Sequence, residues 1–198
     1  MIKNNLVKYL LTSPSLPVGS FSYSEGLESY LKIKKLKESD QIKEFIQNEL
    51  KIGQVRIEAR SLIDFYDIFV ELKNDHNTKN NKRRLLSLDK WLVSFRDCIE
   101  IRDQQDQMAK SLFELTKEFG FEYLYETNRI ISWSLAWSWV SFCFEISKIE
   151  MIENFIYAWT ANQLSAAIRL IPMGAIKAQT IQLELLDLIS EVSQEIID

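Results

Sequence analysis

His76 is the one imidazole in the chain, and it stands in Lys73-Asn-Asp-His-Asn-Thr-Lys-Asn-Asn-Lys-Arg-Arg84, a stretch with no apolar residue. A catalytic or metal-binding histidine needs partners held on a rigid scaffold. This one reads as part of a solvated loop or polar insert. Cys98 and Cys143 lie far apart in apolar surroundings and form no Cys-x-x-Cys pair, so neither a thiolate metal site nor a disulfide framework is expected. Nucleophilic triads fail for want of a placed histidine. No Gly-x-x-x-x-Gly-Lys-Ser/Thr loop is present, and no strand precedes Gly19 or Gly26 to make a dinucleotide fingerprint. The carboxylate pairs Asp103/Asp106 and Glu184/Asp187 fall on helix faces expected to be wet. No enzyme site and no cofactor are expected.

What remains is polar residues gathered beside two backbone breaks. The first break is Ser13-Pro-Ser-Leu-Pro-Val-Gly-Ser-Phe-Ser-Tyr-Ser-Glu-Gly-Leu-Glu28, which holds two of the three prolines and two of the five glycines. Ser20, Phe21, Ser22, Tyr23 and Glu28 stand there. The second break is Pro172 with Gly174, flanked by Arg169, Lys177 and Gln179. Arg169 follows an apolar run, where a guanidinium is either paired internally or presented to a partner as a planar donor fork.

The elements that position these residues read as helices. No proline lies between Leu27 and Ile171, and only Gly53 and Gly120 interrupt. Ser22 and Glu25 have capping-box spacing for a helix starting at Tyr23 or Ser24, and Ser39-Asp40 offers the next N-cap. Apolar residues then recur at helical spacing: Ile42, Phe45, Ile46, Leu50; Val55, Ala59, Leu62, Ile63, Tyr66, Phe69; and Leu85, Leu88, Leu92, Phe95. A further set, Met108, Leu112 and Leu115, stops at Gly120. Ser147 with Glu150 opens another helix, and Ile181, Leu185, Leu188 and Val192 form the last. No strand alternation or internal repeat appears. The fold class is all-α, a single-domain multi-helix bundle over residues 1–198, with the polar insert at 73–84.

Charge and hydropathy narrow the setting. A formal charge of -4 argues against nucleic acid. The basic runs Lys32–Lys37 and Lys82–Arg84 read as solvated faces, with an electrostatic docking patch as the alternative. Ile130 to Phe144 is shorter than the roughly 20 apolar residues of a spanning helix and contains serines. It is read as the central buried helix, its tryptophans Trp133, Trp137 and Trp139 as core. The expected setting is cytoplasmic, without membrane or nucleic acid.

Three blocks carry a resemblance. The first break, together with Leu10-Leu-Thr before it, resembles the N-terminal signature of the urease accessory protein UreF family. Arg102-Asp-Gln-Gln-Asp-Gln-Met-Ala109 is similar to a second family block, and Tyr157-Ala-Trp159 through Ala166-Ala-Ile-Arg-Leu-Ile-Pro-Met-Gly174 and Gln179 to a third. Gln105 stands where a serine is usual, Ala109 where a glycine is, and Ala175 where a glutamine is. The family's C-terminal extension is not seen after Asp198, which bears on recruitment of UreD/UreH. The resemblance implies a non-enzymatic, all-helical homodimer bridging UreD/UreH to the nickel-carrying GTPase UreG, regulating its GTP hydrolysis as the urease apoprotein complex receives nickel. On this reading the partner-binding residues are Ser20, Phe21, Ser22, Tyr23, Glu28, Arg102, Arg169, Pro172, Gly174 and Gln179. The loop and the Arg169–Gln179 break are expected to lie side by side. The alternative is a generic helical adaptor for another GTPase or multiprotein complex.

Overall fold

A computed structural model describes residues 6–19, 24–35, 37–74, 78–96, 98–123 and 128–198. Among them the helices are α1 (Val7–Leu11), α2 (Leu27–Lys34), α3 (Ser39–Ile52), α4 (Gln54–Lys73), α5 (Thr78–Ser94), α6 (Ile99–Glu118), α7 (Trp133–Cys143), α8 (Lys148–Leu170), α9 (Ala175–Glu184) and α10 (Leu186–Ile197). No strand occurs among the described residues, so the all-α expectation holds.

At the centre is α7, packed on α4 and α6. Its apolar residues lie all around the helix rather than along one stripe, which is the pattern of an element enclosed by others. Trp133, Leu135, Ala136, Trp137, Val140 and Cys143 are all buried. Trp137 also places its indole N–H on the Met151 carbonyl at 3.2 Å, so the ring is buried without orphaning its donor. Two of its serines are small enough to fit and pair with nearby backbone: Ser138 donates to the Leu62 carbonyl at 3.1 Å and Ser141 to that of Trp137 at 2.8 Å.

Two aspartates, Asp89 buried and Asp106 half-buried, set the entry to α7. Asp89 on α5 accepts from the Ser132 backbone N–H at 3.0 Å and from its hydroxyl at 2.6 Å, and also pairs with Arg129. Asp106 on α6 accepts from the Ile131 N–H at 3.0 Å. Ser132 in turn caps α7 by accepting from the Leu135 N–H at 3.3 Å. Carboxylates at a helix N-terminus complement its orphan donors and its dipole.

The α3–α4 junction turns on Gly53. Glu49, in the last turn of α3, folds back so that its Oε2 accepts from the Gln54 N–H at 3.1 Å. A Cβ on Gly53 would lie 2.3 Å from that same oxygen, so only glycine leaves room for the cap. Gly120 ends α6 with φ +87, and the Phe121 N–H returns to the Thr116 carbonyl at 3.0 Å, a Schellman closure.

Several local expectations change. The N-cap of α3 is Glu38, which forms a capping box with Gln41, because both side chains reach the backbone donors that Ser39 and Asp40 sit too far along to satisfy. Residues 78–84 are helical, not loop: the lysines and arginines there are good helix formers, and Asn81 is buried. His76 lies outside the described residues. The C-terminal segment is two helices, divided at Leu185. Among the described residues no helix is long and apolar enough to cross a membrane.

Candidate functional site

The first break enters the core through Glu25 rather than starting a helix with it. Ser22, its capping-box partner in the sequence reading, lies outside the described residues, and α2 begins only at Leu27 after Gly26. Glu25 has φ +47 and Gly26 φ +91. Left-handed backbone is costly for a glutamate. Here the turn aims the Glu25 carboxylate inward, where its Oε2 accepts from the Trp159 indole N–H on α8 at 3.2 Å and lies 3.6 Å from Nη2 of Arg96.

Arg96 follows α5 and is 7% exposed. Its Nε and Nη2 both donate to Oε1 of Glu58 on α4, at 3.0 and 2.5 Å. That oxygen also accepts from Nε2 of Gln105 on α6 at 3.0 Å. Arg102, one turn earlier on α6, donates from Nε to the Arg96 carbonyl at 2.6 Å and so fixes the segment that carries Arg96. One buried cluster therefore joins the three sequence blocks: Glu25 from the first, Arg102 and Gln105 from the second, Trp159 from the third. Gln105 spans the gap to Glu58 with a side chain longer than the serine expected at that position.

Burial lifts the Glu25 carboxyl above its ordinary value; Arg96 opposes the rise, Glu58 adds to it, Trp159 opposes it, and Glu49 adds to it. Burial pulls Arg96 the other way, but Glu58 and Glu25 more than reverse that, so the guanidinium stays charged. The cluster is a hydrogen-bonded clamp with little freedom, and no nucleophile lies in it. Cys143 is buried, which pushes its thiol up to about 12, away from reactivity. Cys98 is exposed and its thiol donates to the Glu100 carboxylate. Among the described residues no group of three or more His, Cys, Asp and Glu side chains could hold a metal ion.

Above the clamp runs a cleft of about 260 Å³. Ser13, Pro14, Leu16 and Val18 of the first break form one wall. Ser165 and Ile168 of α8, with Gln179 and Gln182 of α9, form the other, over a floor of Trp133, Trp137 and Trp159. The first break and the second are thus neighbours across one cleft. Gln179 lines it; Arg169, Pro172 and Gly174 are exposed at the α8–α9 turn beside it. Arg102 is half-buried in the clamp. Glu28 is exposed on α2 and pairs with Lys32 at 2.7 Å. Ser20, Phe21, Ser22 and Tyr23 lie outside the described residues.

Sequence reasoning missed Glu58 and Arg96. Glu58 had a signal: it lies three residues after Val55 and four before Leu62, inside a buried stripe. Arg96 had none, standing in a short connection.

A model of the family described as UreF matches residues 36–186. The first block precedes that span, but full-length relatives include it. The chain is 80% identical over 198 residues to the urease accessory protein UreF of Prochlorococcus marinus subsp. pastoris (strain CCMP1986 / NIES-2087 / MED4), covering all of this chain and 87% of that one. It is 64% identical, with the same coverage, to that of Prochlorococcus marinus (strain MIT 9312). To that of Nostoc sp. (strain PCC 7120 / SAG 25.82 / UTEX 2576) it is 28% identical over 189 residues, 94% of this chain and 79% of the other.

Proposed function

The chain belongs to the UreF family of urease accessory proteins, and from that premise we propose that it acts by binding partners rather than by making bonds. It bridges UreD/UreH to the GTPase UreG and sets when UreG hydrolyses GTP, while nickel reaches the urease apoprotein. The observation that carries this reading is the convergence of the three blocks on one buried clamp beneath one cleft. A clamp of this kind has no substrate to transform; its use is to hold the first break and the α8–α9 turn in a fixed relation.

The surface around that turn fits the role. Ile176 and Leu183 are 86% and 69% exposed and lie seven residues apart on α9, hence on the same face, with Ile168 nearby in sequence at the end of α8. Exposed apolar residues grouped on one face mark protein-binding surface. A second copy of the chain or a partner covers it, consistent with a homodimer at the centre of the assembly.

Controlling a GTPase requires a surface that prefers one nucleotide state of it over the other. We assign that preference to Arg169, Pro172, Gly174 and Gln179 at the turn, and from the sequence alone to Ser20, Phe21, Ser22 and Tyr23. GTP hydrolysis by UreG measured with and without this chain, and with Arg169→Ala, tests the reading. A changed rate that the variant loses, with its fold intact, supports it; an unchanged rate counts against it.

A further inference from the structure

The Glu25–Trp159 pair also walls a second cavity, of about 280 Å³, on which Glu49, Arg96 and Gln163 converge. Its electrostatics are one-sided. Among the described residues that line it, Arg96 is the one cation; Glu25, Glu49 and the adjoining Glu58 face it, and its Nε and Nη2 are already turned to carboxylates. Gln163 is 2% exposed, and its Oε1 has no hydrogen-bond partner. A buried acceptor without a donor is costly and uncommon, and here it stands at the wall of a cavity already short of positive charge. Tyr30 and Phe45, ring centroids 4.8 Å apart, supply an aromatic side.

We propose that this cavity receives one guanidinium or ammonium group, the basic side chain of a protein partner, seated between the Glu25 and Glu49 carboxylates and the Gln163 amide oxygen. Acceptors plus an aromatic face are what such a cation needs after losing its water. An anion meets two lining carboxylates. A neutral group leaves the excess negative charge in place. The cavity is smaller than the roughly 300–1,000 Å³ pockets of drug-sized ligands, and its size suits a single side chain.

Occupancy couples to the charge of Glu25. Burial, Glu58 and Glu49 favour its protonated form, against Arg96 and Trp159. A seated cation reverses that balance, so binding strengthens as pH rises through the Glu25 titration. None of this depends on which protein carries the side chain.

The test follows the Trp159 indole N–H by NMR, assigned with Trp159→Phe, as end-blocked arginine (Nα-acetyl-arginine methylamide) is added. The expected result is a saturable shift with a dissociation constant of roughly 1–10 mM, the affinity of one side chain. The uncharged citrulline analogue should give none. Glu49→Gln, which keeps an acceptor for the Gln54 N–H, and Gln163→Leu should each weaken binding at least about tenfold with an unchanged melting temperature. Agmatine, a free dication, serves as the competing source and should bind no more tightly than end-blocked arginine. No saturable shift, an equal response to citrulline, full affinity in a folded Glu49→Gln protein, or clearly tighter agmatine binding overturns the proposal.

Discussion

Trp159 on α8 donates its indole N–H to the Glu25 carboxylate at 3.2 Å, joining residues 134 positions apart in the chain. This one bond ties the break near the N-terminus to the helix that leads into the second break. Around it, Arg96 links Glu25 to Glu58 and so reaches α4 and α6. The relation between the two breaks is therefore set by buried polar contacts with defined geometry, not by apolar packing alone.

Removing one member of the clamp should cost far more than removing the set. Arg96→Met leaves Glu58 buried without its counter-ion, and a loss of about 3–5 kcal/mol is expected. The double variant Arg96→Met/Glu58→Leu should be markedly less destabilised than the two single losses summed. Urea denaturation of the three proteins checks this non-additivity.

Glu25 makes stability depend on pH in a definite direction. Its carboxyl titrates above the ordinary 4.5 in the folded chain. Between that ordinary value and its raised one, the folded state binds more protons than the unfolded state, so this group's contribution is fully present below 4.5 and is lost as pH rises through the raised value. Glu25→Gln keeps an acceptor for Trp159 and removes the titration. The variant should show a flatter stability profile across that window and a higher denaturation midpoint at neutral pH, measured by urea melts from acid to neutral pH.

Asp89 is fully buried and holds Ser132 and Arg129 at the entrance to α7. Asp89→Ala should cost about 3–5 kcal/mol, because it strands a cation and two donors. Tryptophan fluorescence, with Trp133 and Trp137 just beyond the cap, reports the loss in a denaturant melt.

Gly53→Ala places a methyl 2.3 Å from Glu49 Oε2 and 2.5 Å from the Glu49 Cα. The side chain can move away, but the backbone atom cannot without shifting the α3–α4 junction. A loss of about 1–3 kcal/mol is expected from overpacking and the lost cap, read from thermal or chemical denaturation.

The parts that were legible in the sequence are those where apolar spacing decides the outcome. Val55, Ala59, Leu62 and Phe69 mark α4, Ser147 and Glu150 mark the start of α8, and Gly120 marks the end of α6. Periodicity counts apolar residues, so it passes over Glu58, a carboxylate occupying a core position. Arg96 sits in coil, where no period exists. The Ser22–Glu25 spacing signals a cap, while a left-handed backbone at Glu25 sends its side chain to Trp159 instead. The polarity of residues 78–84 signals loop, although lysine and arginine favour helix once a few positions such as Asn81 and Leu85 are buried. The adjacency of the two breaks was legible in outline, from their shared polar character. The clamp that enforces it depends on contacts distant in sequence.

The most direct test of the partner-binding account is co-purification with UreD/UreH and with UreG, comparing the native chain with Arg169→Ala and with the surface pair Ile176→Glu/Leu183→Glu. The expected result is that the native chain retains both partners, while each variant loses at least one of them at an unchanged melting temperature. Retention of neither partner by the native chain, or full retention of both by the variants, would contradict the account.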